Sequence, residues 1–403
     1  MSTSLLYHAW GVHGYVYQRC EFVAGSIVFH LVQLKGFCCA ACRSRHVICR
    51  GTVKRRFKTV PIGRKPVELA LPVQRILCLS CGALRQVELG FADERRSYTK
   101  LFERYALELC RACTIKDAAR HLGVSWDTIK DIDKRYYRRV FSKPKLQHLR
   151  FIAIDEVCIG KGYRFLTIVM DLESGAVVFV GQGKGAEALL PFWKRLAHSG
   201  AGIQAVAMDM SPAYIDAVSS NLPQAQIVFD HFHIIKLFNE KLTELRREMY
   251  REATEALHKE VLKGTRWLLL KNPEHLDREK NERQRLEEAL QLNKPLATAY
   301  YMKEDLRHFW NQADKDAARD FLVDWIRRAQ ASGIPMLRKF ANTLAGKRSG
   351  LLAYYDFKIS TGPLEGLNNK IGAMQRQAYG FRDQEYFVLR IYGLHKVKYA
   401  LVG

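Results

Sequence analysis

The sequence predicts an α/β chain of several domains: a β-rich cysteine module, a helix-turn-helix, then a mixed-sheet core with flanking helices and a long helical block. Three observations carry this. Two C-x-x-C pairs punctuate short strand-like runs near the N-terminus, a two-helix pattern with a central glycine follows, and five apolar runs of strand length come next.

The first module is expected over residues 1–97. SIVFHLVQL, GTVKRRFKTV and PIGRKPVELALPV read as strands from Ser26 onward, with cysteine knuckles between and after them. From Tyr98 the period becomes helical, and Thr114 to Tyr137 fits a helix-turn-helix within residues 98–145: Ala118 and Ala119 permit close packing, Gly123 supplies the turn, and Ser125 caps the second helix. Ser142 to Leu149, with Pro144, reads as a linker. FIAIDEV, RFLTIVMDL, AVVFVGQG, IQAVAMDM and AQIVFDHFH then give the first part of the core, 146–233. Three strands followed by alternating helix and strand imply a mixed sheet. Residues 234–355 read as helices divided by prolines, with Leu242, Leu245, Met249, Ala253 and Ala256 on one face. A last helical block, 356–403, completes the core.

The charge is unevenly placed. The chain has 64 Lys and Arg against 41 Asp and Glu, a net of +23, and residues 1–150 hold 28 basic and 11 acidic residues, a net of +17. The first third is therefore expected to bind a polyanion. No stretch reads as membrane-spanning or as an export signal. Four of the ten cysteines stand in C-x-x-C pairs, which suits metal ligation in a reducing cytoplasm better than disulfides.

Cys39, Cys42, Cys78 and Cys81 make the ligand set of one structural Zn²⁺, against the alternative of four buried thiols. The second helix of the two-helix pattern is expected to expose Trp126, Thr128, Lys130 and Lys134 to DNA beside Ser125. Helical pairs that touch no DNA share such patterns, but the local basic excess, including Lys54, Arg55 and Arg56, favours double-stranded DNA. Asp155 lies in an apolar strand and Asp209 ends another, and two carboxylates so placed suggest a cation site rather than two capped turns. Glu365 is the third candidate. Pro363 at the first helical position would make it a dipole-stabilising residue, yet Glu365, Asn369, Gly372 and Arg376 share a face, with Asn368 and Lys370 beside it, that suits metal and phosphate. Asp230 is its competitor, since it too follows a core strand and has His231 and His233 as neighbours.

TIKDAARHLGVSWDTIK, IAIDE, GKGYRFLTIVMDLESGAVVFVG, AVAMDMSPAY, VFDHFHIIKLFNEKL, KGTRWLLLKNPE and ISTGPLEGLNNKI with RQAYGFRD closely resemble the DDE transposases of the ISL-three insertion-sequence family, nearly end to end. The resemblance implies a ribonuclease-H-like core interrupted by the helical block, with the cysteine module as a zinc ribbon. It carries the catalytic triad onto Asp155, Asp209 and Glu365, and places Asp230 and His233 on an Asp-x-x-His element. It further implies two Mg²⁺ (or Mn²⁺) ions, with Asp155 bridging both, Asp209 holding one and Glu365 the other, as in-line phosphoryl transfer needs. Asn369, Lys370 and Arg376 would touch DNA. Where the family usually carries more lysine, this chain has Gly372 and Gln375. The expected activity is metal-dependent nicking at terminal inverted repeats and strand transfer, by a homo-oligomer assembled on DNA in a bacterial cytoplasm, associated with the nucleoid. A DNA-binding regulator with a vestigial core, or a structure-specific nuclease, would share many of these features.

Overall fold

The structure is a computed structural model that describes residues 5–34, 36–160, 164–253, 265–277 and 279–396. Ala256 and parts of two motifs, residues 161–163 and 263–264, lie outside the described residues. The described residues form two compact units, one within 5–142 joined by 376–389, the other within 143–375 joined by 390–396.

The first unit opens with helix α1 (Leu5–Trp10) and strands β1 (Tyr15–Val23), β2 (Ser26–Gln33), β3 (Val47–Ile62), β4 (Lys65–Cys78) and β5 (Leu84–Gln86). The sheet runs β1-β2-β4-β3, with β5 on β4. β1 was not among the expected strands. Its burial pattern lacks a clean alternation, so the core-facing period that marks a strand in sequence is absent. β3 and β4 form one long antiparallel hairpin in which Val47 pairs with Cys78, so both knuckles sit at its open end. The 35 residues between the cysteine pairs are therefore a connection that returns to its origin.

Helices α2 (Lys100–Ala112), α3 (Ile115–Leu122) and α4 (Trp126–Phe141) follow. Thr99, Thr114 and Ser125 each accept a backbone N–H at a helix start. Gly123, at φ 61°, makes the left-handed turn between α3 and α4 that a side chain would oppose. Phe102, Ala106, Ala118, Ala119, Ile129 and Ile132 close the core of the three helices.

In the second unit, β6 (Phe151–Gly160), β7 (Arg164–Asp171), β8 (Val177–Gln182), helix α5 (Leu190–Ala197), β9 (Ala205–Met208), α6 (Pro212–Asn221) and β10 (Gln226–Phe229) build a mixed sheet of order β10-β9-β6-β7-β8. β6, β7 and β8 are antiparallel neighbours; β9 and β10 run parallel to β6. Helices α7 (His231–Glu252), α8 (Glu282–Leu292), α9 (Lys294–Arg307), α10 (Lys315–Ala331), α11 (Pro335–Gly346), α12 (Arg348–Leu352) and α13 (Tyr354–Phe357) form the helical block, and α14 (Gly362–Gln377) and α15 (Gln384–Gly393) end the fold.

The helical block shares its core with the sheet. Ile152, Val206 and Phe192 join Phe238, Leu242, Trp325 and Phe340 in one cluster of buried side chains. α7 supplies Ile234, Phe238, Leu242 and Leu245 at spacings of four, four and three. Gly350 lets α12 close on β10, because a Cβ there would lie 2.4 Å from the Phe229 ring. The C-terminal block expected as one piece of the core divides instead: residues 376–389 pack with the N-terminal unit. Among the described residues, no helix is long and apolar enough to cross a membrane.

Candidate active site and metal centre

Parallel pairing brings the acids together. Ala153 of β6 lies opposite Ala207 of β9, so Asp155 and Asp209 stand two residues further along on adjacent strands. β10 continues the row, with Phe229 opposite Met208 and the Asp230 N–H donating to the Met208 carbonyl at 3.0 Å. Asp155, midway along β6, thus stands level with Asp209 and Asp230, which follow the ends of β9 and β10. Side chains in register on parallel strands share a face.

Their environments differ. Burial raises the Asp155 carboxyl above its ordinary range, and the negative charges of Asp209 and Glu156 add to this, while His233 opposes it. Asp209 accepts the Ser211 N–H at 3.0 Å. Asp230, 2% exposed, is fully engaged. Its Oδ1 accepts the Thr361 N–H at 3.1 Å, and its Oδ2 accepts the His233 N–H at 3.3 Å and lies 3.2 Å from His233 Nδ1. Burial pushes this carboxyl up, but the hydrogen bonds from His233 and Thr361 hold it below the usual range. The bond to Asp230 raises the His233 ring, with Asp155 and Asp209 contributing.

The strand expected over AQIVFDHFH is therefore shorter than its apolar run suggested. β10 stops at Phe229, Asp230 caps α7, and His233 folds back on the cap. A side chain accepting the N–H three residues on stabilises a helix start more than one further strand residue would.

α14 comes to the sheet from the opposite end of the sequence. It begins at Gly362, one residue before the expected start at Pro363, and Glu365 lies half-exposed in its first turn. One turn on, Asn368 Nδ2 donates to Asp155 Oδ2 at 2.9 Å. Two turns further, Gln375 Nε2 donates to the Ile159 carbonyl at 2.9 Å. The face on β6 is therefore Glu365, Asn368, Gly372 and Gln375, whereas Asn369, Lys370 and Arg376 are exposed. Asn368 Oδ1 is buried without a hydrogen-bond partner, an oxygen free to meet a cation beside Asp155.

The four cysteines converge more closely. All four sulfurs lie within 4.8 Å of one another, with Cys39 to Cys81 at 3.7 Å and Cys42 to Cys78 at 3.5 Å. Zn–S bonds of about 2.3 Å in a regular tetrahedron give S···S edges of about 3.8 Å. Each knuckle turns the same way: Arg43 and Gly82 take left-handed φ of 60° and 71°, and their N–H groups donate to the Cys39 and Cys78 carbonyls at 2.9 Å. The backbone amides of Cys42 and Ala41 draw the Cys39 thiol below its usual range. Among the described residues this is the one group of three or more His, Cys, Asp or Glu side chains that meets so tightly; Asp155, Asp209 and Glu365 do not.

The residues expected to touch DNA in the first unit have mixed fates. Trp126 and Lys54 are exposed, and Ser125 spends its Oγ on Thr128. Arg55 donates to the Arg96 carbonyl and stacks on Phe57, and Arg56 lies 3.5 Å from Glu68. Lys130 and Lys134 do not stand free as expected: both pair with Asp383, at 3.0 and 2.8 Å, and Lys134 also reaches Glu385 at 2.9 Å. The segment 376–389 brings acids to the middle of α4, while its first turn, with Trp126, stays open. That pairing joins residues 249 positions apart, so no local pattern announces it.

Family models and curated proteins match this chain in sequence over most of its length. A family model described as "Transposase" matches residues 152–391, and one described as "Helix-turn-helix domain of transposase family ISL3" matches residues 87–137. The transposase for insertion sequence element IS1001 of Bordetella parapertussis is 33% identical over 88% of this chain and 86% of its own length. The transposase for insertion sequence element IS1557 of Mycobacterium tuberculosis (strain CDC 1551 / Oshkosh) is 27% identical over 84% of this chain and 81% of its own. Among solved structures, the Drosophila P element transposase strand transfer complex aligns with a TM-score of 0.42 at 12% identity, covering 76% of this chain and 94% of that one.

Proposed function

The chain belongs to the ISL3 family of DDE transposases, DNA-binding enzymes that catalyse transposition of an insertion sequence with a divalent metal ion, and from this premise we propose which residues do the work. Asp155, Asp209 and Glu365 form the catalytic triad of a ribonuclease-H-like core spanning 146–233 and the C-terminal part of the chain, with the helical block 234–355 as its insertion. The observation that carries this reading is the pairing of β6 with β9, which sets Asp155 beside Asp209, together with the Asn368 bond that lays the helix of Glu365 over Asp155. Glu365 lies about one turn from that bond on the same helix face.

The donor set fits Mg²⁺ or Mn²⁺. Hard oxygen ligands in small number suit an ion that keeps several waters, and the unpartnered Asn368 Oδ1 adds an oxygen at the right place. A pair of such ions, when bound, supplies an activated nucleophile and relief of charge on the leaving oxygen. The chain's own part is positional. Asp155 and Asp209 hold negative charge on neighbouring strands, Asn368 fixes the Asp155 carboxylate, and Asp230 ties the strand of Asp209 to the start of α14 through Met208 and Thr361. Water, or in joining a DNA 3′-OH, attacks a phosphate seated against these groups, and the P–O bond to the neighbouring 3′-oxygen breaks, that oxygen taking up a proton and leaving as a 3′-OH while the nucleophile gives up its own. Nicking at the terminal inverted repeats comes first, then joining of the freed 3′ end to target DNA.

In the first unit the four cysteines hold one structural Zn²⁺ in a zinc ribbon over residues 1–97, and the helix-turn-helix of 98–145 reads the element ends, with the open first turn of α4 leading. Exposed Asn369, Lys370 and Arg376 take phosphates near the cut. Joining requires two ends to meet, which calls for a homo-oligomer on DNA. The test uses a duplex bearing the inverted repeat found by sequencing the DNA that flanks the gene. Mg²⁺-dependent nicks at the repeat boundary and strand-transfer products are expected. End binding without cleavage would mark a regulator, and cleavage without joining a nuclease.

A further inference from the structure

Residues 151–403 carry a modest net charge, 36 basic against 30 acidic residues, yet their arginines are not dispersed. Arg246, Arg247, Tyr250 and Arg251 lie at positions i, i+1, i+4 and i+5 near the end of α7, and Arg266 returns to meet them. The five side chains line a pocket of about 400 Å³. Four guanidinium groups around one cavity repel each other. Arg247, Arg251 and Arg266 make no ion pair among the described residues, and the Arg246 guanidinium is pushed below its usual range by burial and by the charges of Arg247 and Arg266. Such a cluster is unfavourable in isolation and favourable around phosphate, for which guanidinium is the matched donor. Beside it, Trp267 is 65% exposed, its ring stacked under the Arg266 guanidinium at 4.7 Å, a flat apolar platform outside the core.

For a duplex lying along α7, the helix length sets how far this pocket falls from the carboxylates of Asp155 and Asp209. Its first turn holds His233, which feels the charges of Asp155 and Asp209. Arg246 and Arg251 follow 13 and 18 residues later. At about 1.5 Å per residue the helix spans about 20 to 27 Å between them, or about six to eight base pairs at roughly 3.4 Å each.

We propose that this arginine pocket is a second phosphate site, which grips the DNA backbone about six to eight base pairs from the bond that is cut. The spacing rests on the assignment of cutting to Asp155 and Asp209; the phosphate chemistry does not. Such a grip prevents the duplex from pivoting about the scissile phosphate, since two fixed points on one backbone define its direction.

The test uses the full chain with an end-bearing duplex, comparing the native protein with the triple variant Arg247→Ala, Arg251→Ala, Arg266→Ala. Each lost contact removes about 0.9 from the slope of log affinity against log salt, so the variant's slope is expected to fall by about two to three. Phosphate-ethylation interference should vanish about six to eight base pairs from the cut and persist elsewhere. The triple Arg→Lys variant keeps the charge and should keep the slope, which separates lost contact from lost folding. An unchanged slope and interference pattern in the alanine variant overturns the proposal. So does tight binding of inorganic phosphate or a nucleoside triphosphate that the alanine variant loses while its DNA contacts stay intact. Interference lost at another spacing, with the slope reduced, overturns the placement about six to eight base pairs from the cut and leaves the phosphate site standing.

Discussion

The molecule carries two candidate metal sites built on opposite principles. In the first unit four thiols already meet at tetrahedral distances, whereas in the second the carboxylates line up on neighbouring strands without closing on one another. The difference follows from charge and from task. Thiols that can share S–H hydrogen bonds sit together before an ion arrives, and a structural site gains by closing every position. Carboxylates are costly to bury and repel one another, burial first and then the charges of Asp209 and Glu156 raising the Asp155 carboxyl, and a catalytic ion must keep places for water and phosphate. One site is a clasp and the other an opening, so removing metal should unfold the first and only silence the second.

The largest expected effect tests the clasp. Metal analysis should find one zinc per chain, and Cys78→Ser or a strong chelator should unfold the cysteine module, because structural zinc contributes on the order of 10 kcal/mol. Loss of ellipticity and of end binding would be measured together. Less than half an equivalent of zinc in a module that stays folded would sink the comparison.

Next comes the opening. Asp155→Ala or Asp209→Ala should slow nicking by at least about a thousandfold, the equivalent of roughly 4 kcal/mol in the barrier. Melting temperature and end binding should change little. Glu365→Ala sharpens the contrast: a helix-terminal role costs only up to about 1 kcal/mol in stability and spares cleavage, whereas a metal role abolishes cleavage. Full activity in Glu365→Ala would remove it from the triad.

Asp230 tests whether the opening is held from behind. Asp230→Ala leaves the buried Thr361 N–H without its acceptor and should cost about 1–3 kcal/mol in denaturant unfolding. Asp230→Asn, which keeps an acceptor, should restore much of that. Equal losses in both variants would place the role in charge rather than in the tie to α14.

The smallest effect concerns the first unit's own acids. Burial pushes the Asp383 carboxyl up, but hydrogen bonds from Lys134, the Tyr386 N–H and Lys130 hold it far below the ordinary carboxylate range. A depressed folded value means that docking of this segment on α4 is fully supported above about pH 4, the unfolded value, and is lost as pH falls through the folded one. The pair is part-exposed, so the effect is modest and weakens in salt. Loss of hydrogen-exchange protection at the Tyr386 amide under acid, taken relative to the slower intrinsic rate there, and none in Asp383→Asn beyond its own baseline, is the expected record.

The sequence by itself determined much of this. C-x-x-C spacing names its ligands because a knuckle is local, and the cap-glycine-cap order of Thr114, Gly123 and Ser125 fixes the two-helix turn for the same reason. Asp155 within one apolar strand and Asp209 at the end of another were legible because a carboxylate in a hydrophobic run is costly without a purpose. Glu365 was legible in the polar helix face it shares with Asn369, Gly372 and Arg376, and the family motifs then carried the triad onto all three.

Only the tertiary structure decided which partners those residues have. Asn368 and Asn369 lie about 60° and 40° to either side of Glu365 on a helix wheel, and sequence cannot say how α14 rolls on β6; packing of Leu364, Leu367 and Ile371 turns Asn368 onto Asp155. Asp230 looked like a rival ligand until Thr361, 131 residues away, claimed one of its oxygens. Lys130 and Lys134 looked free until Asp383 arrived from the far end of the chain. Periodicity and capping report forces between residues a few positions apart, whereas these contacts are chosen by which surfaces a whole core leaves facing each other.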